Sequence, residues 1–394
     1  MRICHIITRL IVGGAQENTV VTCAGLKQLG YDVDLVTGPQ TGPEGSLYDA
    51  VRAAGVPLIV LKELRRNLNP LLDVQAVVAL RRLFQQNRYE LVHTHSGKAG
   101  FVGRLAARLS RVPVVVHTIH GPSFYRYQNP VGNWIFTTAE QLAGAWTTQF
   151  VSVADAMTEQ YLAVGIGTPS QYQTIHSGVQ MDAFLRAQPD AALRASLGIA
   201  ETDCVVGKVA RLFRLKGHEF LFKAASRICE AAPNVKFLLV GDGIYRERFE
   251  NEATRLGLRE RFVFTGLVAP QEIPRYMTLM DVLVHLSLRE GLPRSLTQAL
   301  ACGKPVVAFD VDGAREVCRD GETGFLVRVK DSDGVASAVI RLLQDKALAH
   351  RMGARGRELV REKFTEAGMV REIDELYRRL APIRSGLAPL GASR

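Results

Sequence analysis

One run of residues combines a carboxylate, a glycine turn and the start of a helix. The run Arg289–Val307 has the sequence REGLPRSLTQALACGKPVV, in which Pro293 suits the first turn of a helix and Gly303 suits its end. The N-terminus of a helix presents free backbone N–H groups and a partial positive charge, which suit a diphosphate. Glu290 precedes that helix and can accept hydrogen bonds from sugar hydroxyls, while Gln298 lies about two turns further along. The run therefore predicts a binding site with phosphate and sugar contacts.

Three further segments place polar or flexible residues where a buried strand ends. Val209–His218 is typical of a strand, a loop with Arg211 and Lys216, and a helix start. His120 and Gly121 close another strand. The segment GGAQ at residues 13–16 follows the first strand, and its glycines allow close approach of the backbone to a phosphate or a sugar. Each segment alone also fits a solvent-facing loop or a core histidine.

Taken in order, these segments resemble the retaining glycosyltransferases of family four, which have the GT-B fold, over residues 2–365. The run from Glu290 to Gln298 is similar to the family's Glu-x7-Glu motif, with glutamine as the second residue. The GGAQ segment is similar to the family's Gly-Gly-Ala-Glu loop, with Gln16 in place of glutamate. An amide still accepts a hydrogen bond but lacks the charge-assisted strength of a carboxylate.

The resemblance implies transfer of a sugar, with retention at the anomeric carbon, from a nucleotide diphosphate donor to an acceptor hydroxyl. It implies that two cations clamp the diphosphate in place of a metal ion, so no cofactor is expected. The residues that it assigns to catalysis are Glu290, His120, Arg211 and Lys216. The residues that it assigns to donor binding are Gly13, Gly14, Gln16, Leu267, Val268, Gly291, Leu292, Pro293, Arg294 and Gln298.

Short β-rich runs alternate with amphipathic helical stretches along the whole chain, which predicts parallel sheets covered by helices on both faces. With the resemblance, the expected fold class is α/β: GT-B, two Rossmann-like doubly wound domains facing each other across a cleft. We expect an acceptor-binding domain over 1–185, a nucleotide-sugar-binding domain over 186–365, and a C-terminal helix with a loose tail over 366–394. The linker is predicted at residues 187–192, and ligands are expected at the carboxyl ends of the strands.

The net charge and the motif content of the sequence limit the kinds of molecule that the protein is expected to bind. The 394 residues carry a formal net charge of +10, which suits anionic lipid, nucleic acid or a phosphorylated small molecule. No zinc-ligand spacing, ribonucleoprotein signature or long basic arm is present, so nucleic acid is not expected as a partner. The six cysteines are scattered without a Cys-x-x-Cys pair, and residues 2–8 suit a buried strand better than a signal peptide. A cytoplasmic protein is predicted.

Two features of the first half favour a lipid-linked acceptor and a peripheral position on the inner face of the cytoplasmic membrane. Residues 123–136 mix aromatic side chains with a cation, as interfacial segments do, although a packed loop is equally compatible. Arg104, Arg108 and Arg111 have helical spacing and are expected to share one basic face. That face is either simply solvated or contacts anionic headgroups. The predicted acceptor is a glycan, or a polyprenyl- or lipid-linked sugar in cell-surface polysaccharide assembly.

Four alternatives remain open at this stage. Asp310 and Asp312 resemble a metal-binding Asp-x-Asp motif, and His93 and His95 lie on one face of a strand as a metal pair would, with no third ligand nearby in the sequence. Nucleotide-sugar 2-epimerases share the GT-B architecture but lack the pattern at residues 290–293. A non-catalytic protein that binds a sugar nucleotide is also compatible with the two glutamine replacements.

Overall fold

The computed structural model describes residues 1–40, 45–125 and 127–381, which form two compact units. The first unit comprises residues 1–178 and a helix that begins at residue 366, and the second comprises residues 179–365. Each unit contains one parallel sheet, as the alternation of strands and helices predicted.

The elements are numbered in chain order. The strands of the first unit are β1 (Arg2–Ile7), β2 (Asp32–Thr37), β3 (Leu58–Val60), β4 (Leu91–His95), β5 (Val114–Ile119), β6 (Gln149–Ser152) and β7 (Tyr172–Thr174). Its helices are α1 (Gly14–Gln28), α2 (Tyr48–Ala53), α3 (Pro70–Asn87), α4 (Gly97–Leu109), α5 (Pro130–Gly144), α6 (Asp155–Ala163) and, at the far end of the chain, α16 (Glu366–Leu380).

The strands of the second unit are β8 (Cys204–Val209), β9 (Val235–Val240), β10 (Phe262–Gly266), β11 (Val282–His285), β12 (Val306–Phe309) and β13 (Gly324–Val327). Its helices are α7 (Asp182–Arg186), α8 (Ala191–Ser196), α9 (His218–Ala231), α10 (Arg246–Arg255), α11 (Ile273–Thr278), α12 (Arg294–Ala301), α13 (Ala314–Val317), α14 (Ser332–Gln344) and α15 (Lys346–Lys363).

The first sheet has the strand order β3-β2-β1-β4-β5-β6-β7, with all neighbours parallel. Its strands are apolar on both faces because separate clusters of buried side chains pack against each face. Reversal of the strand order beside β1 places the ends of β1, β4 and β5 next to one another, so the side chains at these ends can meet.

Helix α16 packs against α1 and closes one of these two cores. Gly25 of α1 lies so close to α16 that a Cβ atom there would approach the Val370 side chain to 2.6 Å. Tyr31 donates a hydrogen bond to Asp374 at 2.5 Å, and Tyr377 is fully buried under the sheet. The terminal helix is therefore part of the first unit, where a separate segment over 366–394 was expected; residues beyond 381 lie outside the described residues.

The second sheet has the strand order β10-β9-β8-β11-β12-β13, again all parallel, around one large apolar cluster. The chain enters this unit at residue 179, whereas the sequence predicted the boundary at 185 and the linker at 187–192. Residues 179–185 already pack on the second unit: Val179 donates a backbone hydrogen bond to Phe364, and Phe184 and Leu185 accept bonds from Cys302 and Arg357. Contacts with partners more than a hundred positions away set this boundary.

Candidate functional site

In the second unit, the loops that follow β8 and β11 pack directly on each other because these strands are neighbours in the sheet. Gly217 has a φ of +67°, and a Cβ atom there would lie 1.7 Å from the carbonyl oxygen of Leu286, so only glycine fits. Leu288 donates a backbone hydrogen bond to Leu215 at 2.9 Å. This close packing brings the two loops into register and determines where Lys216 and Glu290 lie.

Lys216 and Glu290 form an ion pair, with Nζ 2.6 Å from Oε1. The side chains are 27% and 15% exposed, so the pair faces solvent from a largely desolvated position. Burial raises the pKa of Glu290, but the Lys216 ammonium and His285, whose Nε2 lies 3.4 Å away, outweigh burial and hold this pKa well below its usual value. Glu290 is therefore a carboxylate near neutral pH, able to accept hydrogen bonds from hydroxyls.

The N-terminus of α12 opens beside this pair. Pro293, at the capping position, offers no side-chain acceptor to the first turn of the helix, in which Leu296 donates its backbone N–H to the Pro293 carbonyl at 3.1 Å. Ser295 and His285 are joined by a 3.0 Å hydrogen bond, which ties the first turn of α12 to the end of β11. Gln298 is half-buried one turn further, on the helix predicted to carry it.

Arg211 is not brought to this pair. Its side chain is exposed, with the guanidinium 5.6 Å from the centre of the Phe213 ring. Leu267, 82% exposed, and Val268 follow β10, which is the edge strand two positions from β8. The predicted residues of this unit thus lie at the carboxyl ends of their strands, but only Lys216, Glu290 and the start of α12 are in contact or adjacent.

The aspartates of the Asp-x-Asp pattern are both engaged with the protein. Asp310 pairs with Arg315 at 3.0 Å. Asp312 has a φ of 48° and accepts the backbone N–H of Glu290 at 2.6 Å. Asp312 therefore fixes the backbone that carries Glu290, a role that the sequence did not indicate.

Lys208 is a further group that sequence reasoning missed. It points inward from β8, is 1% exposed, and its Nζ has no hydrogen-bond partner among the described residues. Burial, and then the nearby Lys216 ammonium, lower the pKa of Lys208 to about 7, against the opposing effect of Glu290. A lysine within an apolar strand is the only sequence feature that marks it.

In the first unit, His120 follows β5 and begins a continuous chain of hydrogen bonds. Its Nε2 lies 3.0 Å from His95 Nδ1, and His95 Nε2 lies 3.0 Å from His5 Nδ1. His5 Nε2 then lies 3.2 Å from the Tyr377 hydroxyl, which is 2.6 Å from His93 Nδ1. The chain ends where His93 Nε2 meets the Thr118 hydroxyl at 2.6 Å. Here these six groups are called the histidine chain.

Burial keeps the four imidazoles of the histidine chain neutral. It lowers the pKa of His5 and of His120 to about 3 each. It also lowers the pKa of His93 and of His95 well below the usual value, with the neighbouring imidazoles adding to the effect. Each ring therefore carries one hydrogen near neutral pH, so one nitrogen donates and the other accepts.

Three of these rings are close enough to hold a metal ion. His5, His93 and His95 offer ring nitrogens within 4.8 Å of one another, so the third histidine that the sequence did not reveal comes from β1. Hydrogen bonds account for the arrangement better than a shared ligand geometry. His93 and His95 are stacked with centroids 4.4 Å apart, so their lone pairs do not converge on one point.

The glycine segment of the first unit lies at the start of α1. Gly13 precedes the helix, and the Gln16 side chain folds back over it, 2.8 Å from where a Cβ would be. Gly14 is exposed. The segment thus presents backbone at the carboxyl end of β1, as predicted.

The predicted basic face of α4 is wrong. Arg104 is fully buried and paired with Glu140 of α5 at 2.5 Å, and it also donates to the Gly100 carbonyl at 2.8 Å. Arg108 and Arg111 are exposed. The spacing predicted one face for all three arginines, but tertiary packing buries Arg104. Arg126, the cation of the aromatic segment, lies outside the described residues.

Two family models match the chain: the glycosyl transferase 4-like domain over residues 13–178 and glycosyl transferases group 1 over residues 190–359. A UDP-Gal:alpha-D-GlcNAc-diphosphoundecaprenol alpha-1,3-galactosyltransferase of Escherichia coli is 29% identical over 384 residues, which is 96% of each protein. A GDP-mannose-dependent alpha-(1-6)-phosphatidylinositol monomannoside mannosyltransferase of Mycobacterium tuberculosis is 30% identical over 82% of this chain and 84% of its own length.

Solved structures share the fold at lower identity. HepE of Anabaena in complex with UDP has a TM-score of 0.81 at 23% identity, covering 96% of this chain and 100% of that one. Sucrose-phosphate synthase from Thermosynechococcus elongatus has a TM-score of 0.80 at 24% identity, covering 97% and 99%. These similarities confirm the predicted GT-B fold.

Proposed function

Because the chain belongs to the group 1 glycosyltransferases of family four, we propose that it transfers a sugar from a nucleoside diphosphate to an acceptor hydroxyl with retention and without a metal ion. The observation that supports this most is the Lys216–Glu290 ion pair beside the N-terminus of α12. It combines an ammonium and helix N–H groups for a diphosphate with a carboxylate for sugar hydroxyls.

The Lys216–Glu290 pair also suggests how the negative charge of the departing diphosphate is stabilised during sugar transfer. An ammonium has three N–H donors, so Lys216 can keep Glu290 while it contacts a phosphate oxygen. The negative charge that develops on the departing diphosphate is stabilised by Lys216 and the helix N-terminus, which act in place of a metal ion. A leaving phosphate oxygen then takes the proton of the attacking hydroxyl. Arg211, exposed on the same loop, reaches the diphosphate by a change of side-chain rotamer.

Two of the similar proteins support a uridine nucleotide in the donor, although the M. tuberculosis relative is named as GDP-mannose-dependent. HepE binds UDP, and the E. coli relative uses UDP-galactose with a diphosphoundecaprenol-linked sugar. We therefore take a UDP-sugar as the donor and a polyprenyl-diphosphate-linked sugar as the acceptor. Gln298, in place of glutamate, contacts the ribose hydroxyls as an uncharged acceptor.

Exposed apolar side chains of the first unit suit contact with the lipid of such an acceptor. Among the described residues, no helix is both long and apolar enough to cross a membrane. Helix α4 is a neighbour of both α3 and α5, and these two each carry several apolar side chains that are exposed to solvent. The exposed residues in or just before α3 are Leu68, Leu71, Val74 and Val78, and those on α5 are Val131, Trp134, Ile135 and Leu142. Their helical spacing gives each helix an apolar stripe, as in interfacial helices.

The transfer itself is tested with a panel of UDP- and GDP-sugars and a polyprenyl diphosphate N-acetylhexosamine acceptor, with the product read by mass spectrometry and its anomeric configuration by NMR. We expect a retained configuration and an unchanged rate in excess EDTA. Activity lost in EDTA and restored by magnesium or manganese would refute metal independence. Epimerised nucleotide sugar without transfer would point instead to a 2-epimerase.

Membrane contact is tested by co-sedimentation with vesicles. We expect binding to vesicles with anionic lipid and weaker binding to neutral ones, fading by about 0.5 M salt because screening shortens the range of the exposed cations. Trp134→Ser with Ile135→Ser removes binding, whereas Ile244→Ser, which removes a still more exposed apolar side chain of the second unit, does not. Equal loss in both variants would mean that α5 is not the contact.

A further inference from the structure

The histidine chain contains one more hydrogen than it has internal hydrogen bonds. Its six groups are His120, His95, His5, Tyr377, His93 and Thr118, joined by five bonds. Each neutral imidazole and each hydroxyl carries one hydrogen. If every bond is to contain a hydrogen, five groups donate within the chain and one donates outside it.

Only three of the six groups can be the one that donates outside. The group that donates outside must accept a hydrogen bond from each of its neighbours in the histidine chain. An imidazole inside the chain cannot accept at both nitrogens, because one of them carries its hydrogen. This leaves the two ends, His120 and Thr118, and the Tyr377 oxygen, which has two lone pairs.

Burial decides among the three. Tyr377 is 0% exposed and Thr118 is 3% exposed, and neither hydroxyl has another acceptor among the described residues. A buried O–H without a partner is costly, so both hydroxyls donate within the chain. The half-buried His120 is the end at which the extra hydrogen can reach a ligand or water.

We propose that Thr118 and Tyr377 set the tautomer of His120, so that its Nδ1 carries the hydrogen and donates a hydrogen bond to a substrate oxygen. The direction of donation runs from Thr118 to His93, then to Tyr377, His5, His95 and finally His120 Nε2. Thr118 and Tyr377 are positioning residues in this scheme, since they act only through the rings. The inference rests on the proposed function in one respect, namely that His120 contacts the substrate.

This tautomer has a chemical consequence. With Nδ1 protonated and Nε2 engaged by His95, His120 has no free lone pair with which to remove a proton from the acceptor hydroxyl. It instead stabilises an oxygen atom of the transferred sugar or of the acceptor. The proton of the attacking hydroxyl must then leave by another route, which agrees with its uptake by a leaving phosphate oxygen.

The test is NMR of the full chain labelled with ¹⁵N-histidine, since long-range ¹H–¹⁵N correlations show which nitrogen of each ring carries the hydrogen. His120 is assigned by the signals lost in His120→Gln. We expect the Nδ1–H form of His120 in the parent protein at neutral pH. Thr118→Val and Tyr377→Phe each remove one hydroxyl at nearly constant shape, and we expect a mixture of His120 tautomers in both. Thr118→Ser keeps the hydroxyl and restores the parent spectrum, which a purely structural role of the methyl group would not do.

Kinetics give a second readout. If about half of the His120 rings adopt the other tautomer in Thr118→Val, and both tautomers bind the nucleotide sugar equally, kcat falls about twofold while the KM for the nucleotide sugar is unchanged. The tautomer itself is read without substrate, so a protein that lacks transfer activity would refute the proposed function and leave this inference testable.

Three results would overturn the inference. The first is an Nε2–H tautomer of His120 in the parent protein. The second is a tautomer that does not change in Thr118→Val and Tyr377→Phe. The third is stoichiometric zinc in the purified protein, found by elemental analysis, whose removal shifts the ring signals of His5, His93 and His95; these rings would then be metal ligands.

Discussion

Both units gather polar side chains on a parallel sheet, but those of the first unit are neutral and those of the second are charged. Along β1 and β4 and just after β5, the first unit gathers neutral imidazoles joined by hydrogen bonds. At the ends of β8 and β11, the second unit gathers an ammonium and a carboxylate. The first cluster is almost wholly buried, whereas Lys216 and Glu290 keep partial access to solvent.

Desolvation explains the difference. A group removed from water can stay polar at modest cost if it is neutral and fully hydrogen-bonded, as the histidine chain is. Removal of a charge from water costs more, and Lys216 and Glu290 reduce this cost because they pair with each other and keep partial access to solvent. The two arrangements suit different ligands: neutral donors and acceptors fit hydroxyl groups, and a charged site fits a diphosphate.

The largest expected effect is on the free energy of unfolding and concerns a buried ion pair of the first unit that lies apart from the histidine chain. Arg104 and Glu140 are 0% and 3% exposed and lie in the packing between α4 and α5. Arg104→Met leaves Glu140 buried without its partner, and we expect a loss of about 3–5 kcal/mol in the free energy of unfolding, measured by urea denaturation. Arg104→Met with Glu140→Met regains most of the loss. A single variant as stable as the parent would contradict the assignment of this pair to the core.

The next effect tests the unpaired charge of the second unit. Lys208 has a pKa lowered to about 7, so the unfolded state binds more protons than the folded state between about pH 7 and 10.5. Stability therefore rises with pH across this window. We expect Lys208→Met to raise the free energy of unfolding at pH 7 by roughly 3 kcal/mol and to abolish this rise. Lys223→Met, on the exposed side of α9, is the matched control. A loss of stability in Lys208→Met would show that the ammonium has a partner.

Removal of Lys216 or of Glu290 tests the role of this ion pair of the second unit in sugar transfer. We expect Glu290→Ala and Lys216→Ala each to lower kcat about a hundredfold, the scale of one lost transition-state contact. Melting temperatures should change by only a few degrees, since neither side chain is in the apolar core. Arg214→Ala removes an exposed cation from the same loop and should retain activity. A variant of Glu290 or Lys216 with parental activity would show that the site lies elsewhere.

The smallest expected effect is a flat pH profile. Glu290 stays ionised because its pKa is held low, and His5 and His120 stay neutral because their pKa values are about 3. In Lys208→Met, which removes a group near the pair whose pKa is about 7, kcat/KM should vary less than about twofold from pH 5.5 to 8. An acid limb with a midpoint between 6 and 7 in that variant would require a titrating histidine in the mechanism.

Much of this protein was predictable from local pattern. Apolar runs with glycine and proline at their ends marked most strands, and with the parallel-sheet rule they placed Lys216, Glu290 and His120 at carboxyl ends. Those predictions succeeded because strand formation and helix starts depend on residues within a few positions of each other. Short elements such as β7 and β13 were not predicted.

The contacts that join distant parts of the chain were decided only by the tertiary structure. Spacing on α4 suggested three exposed arginines, but the position of Glu140 turned Arg104 inward. A boundary near residue 185 followed from composition, yet residues 179–185 belong to the second unit. Tyr377 and His5 are 372 positions apart and share one hydrogen bond. Residue types and spacing determine the class of fold and the chemistry at each strand end. The partner of each buried polar group is decided only when distant parts of the chain pack together and exclude water.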